Sequence, residues 1–156
     1  IRAIARGLPT VIRSPRDIAA RSDVLYGACL CGAALGVGIT GLHHRLCHTL
    51  GGSFNTSHAD THAILLAYSV AFNAPAVPQG TARVAEALGV ADAAAGIFDL
   101  LHSVSAITNL EQLGLKATDL DRAADIATES PCVNPAPIAR AAVRELLGRA
   151  FAGERP

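Results

Sequence analysis

Five of the six histidines in this 156-residue chain fall in one stretch, GLHHRLCHTLGGSFNTSHADTH, residues 41–62. Imidazole has few chemical uses at that density. A neutral ring nitrogen ligates Zn²⁺ or Fe²⁺, and a ring titrating near neutrality moves a proton. On a helix at about 100° per residue, Leu42, Leu46 and Leu50 form one stripe. His44 and His48, one turn apart, share the opposite side, with His43 and Cys47 between. Gly51 and Gly52 then suit a left-handed turn that folds the chain back. His58 follows in the first turn of the next helix and His62 one turn later, so His44, His48 and His58 are predicted to converge with His62 beside them. The plain alternative is a set of core histidines bonded to backbone carbonyls. That alternative holds for His102, isolated in FDLLHSVSA. Asp60 is the nearby carboxylate and is predicted to cap its helix, so any remaining metal ligands must come from elsewhere.

The elements that must position these side chains read as helices throughout. Ser14-Pro15 marks the start of a long helix through RDIAARSDVLYGACLCGAALG, with interruption near Gly36 and Gly38. Ser57 to Asp60 resembles a capping box opening a helix to about Phe72, which Asn73 and Pro75 end. Further helical segments are GTARVAEALGV, DAAAGIFDLLHSVSA, the short TNLEQLG and TDLDRAADIATES, where Thr118 and Asp121 repeat the capping pattern. In the last helix Val143, Leu146, Leu147, Ala150 and Phe151 form a stripe, with Arg140, Arg144 and Arg149 off it. The prediction is one all-α domain over residues 1–156, a bundle of about seven helices.

Thirteen basic and thirteen acidic residues leave no net charge, which argues against nucleic acid or an anionic membrane as partner. Cys29, Cys31, Cys47 and Cys132 form no CxxC pair, which suits reduced thiols in a cytoplasm. Val24 to Leu42 carries no charge and is marginally long enough to span a bilayer. Its glycines and its polar HHRLCH continuation favour a tightly packed central helix of a soluble protein instead. The chain has no Met and opens IRAIARGLPT, so it reads as part of a longer protein.

The stretch from Gly41 to Ala76, with HxxxH, a glycine-rich turn and a third His ten residues on, resembles the helical C-terminal domain of the iron-containing alcohol dehydrogenase superfamily. Paired His43-His44, Cys47, HADTHA and FNAPA are similar to its maleylacetate reductase branch, and the likeness continues through DLDRAADIA to the end of the chain. The resemblance implies an N-terminal nucleotide-binding domain outside this chain, NADH or NADPH as cofactor, and a homodimer when the protein is complete. It implies His44 and His58 as ligands of Fe²⁺ or Zn²⁺, with an Asp and a His upstream, and His48 beside the nicotinamide and substrate. In the branch itself the metal is dispensable, so His48 or His44 becomes the acid. His43, Arg45 and His62 then contact a small dicarboxylate. Two departures stand out: Ser57 replaces Pro, and Ala67-Tyr68 replaces Pro-His. Two rivals remain, a metal-dependent alcohol dehydrogenase of the same superfamily and a non-enzymatic helical interaction module.

Overall fold

The computed structural model describes residues 1–156 and contains eight α-helices, one 3₁₀ turn and no strand. They are α1 (Arg2–Arg13), α2 (Ile18–Val37), α3 (Leu42–Phe54), α4 (His58–Asn73), α5 (Pro78–Leu88), α6 (Ala93–Val104), α7 (Leu120–Thr128) and α8 (Arg140–Ala152). The core lies where α3, α4, α6, α7 and α8 meet, so the helices that carry the histidines are also the best anchored. Leu42, Leu46 and Leu50 are completely buried, as their spacing requires. The α8 stripe behaves likewise, with Val143, Leu147 and Ala150 fully buried.

Several local expectations are corrected. Gly51 and Gly52 lie inside α3, and the left-handed residue that ends it is Asn55, with φ 55°. Asn tolerates that conformation because its short polar side chain bonds locally. Ser57 does precede α4, but its side chain caps nothing. Thr61 holds this corner instead, its hydroxyl reaching the Ser57 carbonyl at 2.6 Å and the Thr56 hydroxyl at 2.8 Å. The long helix starts at Ile18 rather than after Ser14, because the Asp17 carboxylate accepts from the Ala20 N–H at 2.9 Å. TNLEQLG forms turns rather than a helix. Ahead of α7 it is Asp119, not Thr118 or Asp121, that makes a capping bond, accepting from the Lys116 N–H at 3.0 Å. Asp121 instead pairs with Arg140 and Arg144 on α8.

The largest correction concerns α2. It is not a central helix: it packs chiefly on α1, and only Ala20 and Gly27 are buried. Leu25, Tyr26, Leu30 and Leu35 are all more than half exposed. Apolar composition led to the central placement, but only the narrow side bearing Ala20 and Gly27 meets another helix. The helix is also long and apolar enough to cross a membrane, by length and composition alone.

The α1–α2 pair depends on close approach. A Cβ on Gly7 would stand 2.7 Å from the Ala20 carbonyl oxygen and 2.9 Å from Asp23 Cβ. Gly7→Ala is therefore expected to push the helices apart at a cost of about 1–3 kcal/mol, despite alanine's better helix propensity. Gly32, with nothing within 4 Å, is the control. Gly32→Ala should hold or raise the melting temperature. If thermal unfolding ranks the two variants the other way, this packing account is wrong.

Candidate functional site

The histidines of α3 and the start of α4 do converge. His62 is the hub, its ring centroid 4.4 Å from His58, 4.9 Å from His43 and 5.0 Å from His44. His48 closes the far side, 6.2 Å from His44 and 6.1 Å from His58, with the His58 ring nearly parallel to its own. The glycines within α3 did not fold the chain back. The reversal comes from Asn55 and the short Thr56-Ser57 link, which set the two helices side by side.

Four of the five rings divide into two groups by environment. His44 and His48 face a cavity of about 460 Å³, together with Arg45, Thr49 and Ser53 from α3. The opposite wall is Ile126, Glu129, Ser130 and Cys132, from the end of α7 and the segment after it. His48 is exposed and His44 half-buried. The lining is mainly polar, carries both the Arg45 guanidinium and the Glu129 carboxylate, and suits a polar ligand more than an apolar one. Arg45 also donates to the Pro131 carbonyl at 3.3 Å, which ties the two walls together.

His43 turns the other way. It does not line the cavity but sits between α3 and α4, with Nε2 3.0 Å from His62 Nδ1 and 3.9 Å from the Cys47 sulfur. Burial, followed by repulsion from His62 and His44, pushes its pKa down to about 4. His62 is lowered for the same leading reason, with the neighbouring histidines adding to it. The His62 Nε2 atom is buried and has no hydrogen-bond partner. Cys47 is fully buried, and burial raises its thiol to about 12.

Two imidazoles, His44 and His58, flank His62 and fit half of the ligand set of a divalent metal. No carboxylate from α3 or α4 completes it. Glu129 was not anticipated as a cavity residue, since it lies about eighty residues downstream and only the fold brings it there. The network behind that wall was missed as well. Asn134 Oδ1 accepts from the Leu42 N–H at 3.3 Å at the start of α3, and its Nδ2 donates to Asn73 Oδ1 at 2.7 Å at the end of α4. The two asparagines, Asn73 within FNAPA and Asn134 after α7, thereby fix the far wall against the histidine helix. His102 is structural, as its isolation suggested: it is stacked on Phe98 at 3.9 Å with Nδ1 2.9 Å from the Phe98 carbonyl. Tyr68, where relatives were expected to carry His, is buried with an unpartnered hydroxyl.

Residues 1–151 match the family described as Fe-containing alcohol dehydrogenase family, C-terminal. The chain is 44% identical over its whole length to a maleylacetate reductase from a Pseudomonas species, covering 44% of that protein. Among solved structures, a putative alcohol dehydrogenase from Ralstonia eutropha is 52% identical with a TM-score of 0.95, over 99% of this chain and 44% of that one. The maleylacetate reductase from a Rhizobium species is 45% identical with a TM-score of 0.95, at the same coverage. The chain thus spans less than half the length of the relatives it matches. An all-helical fold with converging histidines, matched from end to end, places the chain in the iron-containing alcohol dehydrogenase family as its C-terminal part.

Proposed function

We propose that the complete protein is a maleylacetate reductase, using NADH or NADPH to reduce maleylacetate to 3-oxoadipate in the breakdown of aromatic compounds. The observation that carries this reading is the cavity in which His44, Arg45 and His48 face a mostly polar wall, in a chain similar throughout to maleylacetate reductases. We take the protein to be cytoplasmic and dimeric, with its nucleotide-binding half supplied by sequence outside this chain.

A nicotinamide cofactor, when bound by the complete protein, would supply the hydride for one alkene carbon. Arg45 binds a substrate carboxylate by a charge-assisted hydrogen bond and fixes its orientation. His44, half-buried on the same wall, donates to the oxygen on which negative charge builds as the conjugated carbonyl becomes an enolate. His48, exposed to the cavity, delivers a proton to the second carbon. A metal held by His44 and His58 would polarise that oxygen instead, which is the chemistry of the metal-dependent alcohol dehydrogenase reading. The closeness of His44 and His58 to His62 keeps that second reading in play.

The test is an assay of the complete protein with maleylacetate and NADH or NADPH, before and after chelator treatment. Reduction that survives chelation supports the proposal. Alcohol oxidation that needs metal, with no reduction of maleylacetate, would replace it with the second reading. Within the same assay Arg45→Gln is expected to raise KM about 10-fold, the worth of one hydrogen bond between charged groups, with kcat little changed. An unchanged KM would return Arg45 to a solvated helix charge.

A further inference from the structure

Behind the cavity-facing histidines, His43, Cys47 and His62 offer one ligand atom each, and the three atoms lie within 4.8 Å of one another. This group lies outside the cavity and has no part in the proposed reduction. Its members come from three helical turns, with His43 and Cys47 one turn apart on α3 and His62 facing them from α4. We propose that His43, Cys47 and His62 form a soft-metal site, with two imidazole nitrogens and one thiolate, suited to Cu⁺.

Three features point to a ligand there. The first is the orientation of His43. Its Nδ1 lies 3.4 Å from the Ser69 hydroxyl, and the tautomer that donates there leaves the Nε2 lone pair facing His62 and Cys47. Metal-binding histidines are oriented in this way, with the second nitrogen bonded to an oxygen. The second is spacing. Bonds of about 2.0 Å to nitrogen and 2.3 Å to sulfur place trigonal donors roughly 3.5–3.8 Å apart. The separations of 3.0 and 3.9 Å at His43 Nε2 lie on either side of that range, and Cys47 and His62, within 4.8 Å of each other, close on it by side-chain rotation. The third is the His62 ring, whose Nδ1 is the nitrogen turned to His43, so that α4 adds a ring nitrogen to the two donors of α3.

Charge selects the ion. Cys47 is fully buried, and a buried net charge is costly. Cu⁺ with one thiolate and two neutral imidazoles is neutral overall, whereas Zn²⁺ in the same donors leaves a net positive charge. Soft thiolate donors also favour Cu⁺. On binding, the Cys47 S–H proton leaves to solvent and the sulfur–metal bond forms, with no change of oxidation state. A buried thiol that holds its proton firmly when free is consistent with metal-dependent deprotonation of this kind.

The test is anaerobic titration of the complete, metal-free protein with Cu⁺ against a chromophoric Cu⁺ chelator. It is run in a Cys29→Ser, Cys31→Ser, Cys132→Ser background so that those thiols do not compete. The expected result is one tightly held equivalent, with X-ray absorption at the copper edge showing one sulfur and two imidazole neighbours. Cys47→Ser and His62→Ala should each weaken binding by about 100-fold or more, while His48→Ala binds as before. Circular dichroism of each variant checks that it is folded. The absorption spectrum of the background protein needs no further variant, so a misfolded Cys47→Ser does not stop the test. No bound Cu⁺, copper without a sulfur neighbour, or equal affinity in Cys47→Ser would each overturn the site. A loss in His48→Ala matching that in His62→Ala would move the copper to the cavity histidines and overturn it too.

Discussion

His48→Ala in the complete protein is expected to slow turnover by about 10²- to 10⁴-fold while leaving the melting temperature nearly unchanged. His48 is exposed on α3 and faces the cavity, away from the fully buried Leu42, Leu46 and Leu50. Its removal leaves no core cavity, so the stability cost should be about 1 kcal/mol or less. Leu46→Ala, from two residues earlier on the same helix, should show the opposite pattern. Deleting a fully buried leucine side chain costs about 2–5 kcal/mol, and whatever remains folded should turn over at a near-normal rate. Measuring initial rates and thermal unfolding on both variants separates chemistry from packing within one helix. A His48 variant that melts early yet turns over normally would remove His48 from the proposed mechanism.

The contrast between those two residues was visible in the sequence because helical periodicity reports which side of a helix is buried. The same logic recovered α8 and the shared face of His44 and His48, since residues one turn apart must share a face, whereas His58 reaches them through a turn at Asn55 rather than at the glycines. Termini were less legible. Gly51 and Gly52 looked like a helix end, but glycine permits a left-handed turn without requiring one, and the hydrogen-bonded run continued to Phe54. The helix α1 was not anticipated. Pro9 lies inside it, where a missing N–H ordinarily breaks a helix, and its first turns offer no capping side chain. For α2 the error lay in equating an apolar stretch with a central position. Hydropathy says that a surface favours burial but not which surface covers it. The far wall of the cavity was hidden for a different reason. Glu129 and Cys132 are neighbours of His44 only through the fold, and Asn134 finds Leu42 and Asn73 across more than sixty residues of chain. No local pattern encodes such a contact. His43 shows the remaining gap: spacing placed it near the site, but which way its ring turned depended on α4.

That orientation gives a second large effect, a loss of stability in mild acid. An unfolded-state histidine titrates near 6.5, whereas His43 in the folded protein is pushed down to about 4, first by burial and then by His62 and His44. Between those values the unfolded chain binds a proton that the folded chain does not. Stability is therefore complete above about pH 6.5 and declines as pH falls toward 4, below which the loss from His43 levels off. At about 1.4 kcal/mol per pH unit, the ceiling is roughly 3 kcal/mol. His62, also lowered and 3.0 Å from His43, titrates with it, so the effect belongs to the pair. The paired carboxylates do not obscure this window. Asp23, Asp99 and Asp121 are all held below their ordinary value of 3.8 by their arginine partners, so their contribution is lost only at lower pH. Urea midpoints between about pH 4 and 7, for the unmodified protein and for His43→Gln, measure it. Glutamine keeps a polar group against His62 but carries no proton across this range, so the variant should show a clearly shallower slope. An equal slope in both proteins would mean that another group controls the acid transition and that His43 is charged in the folded state.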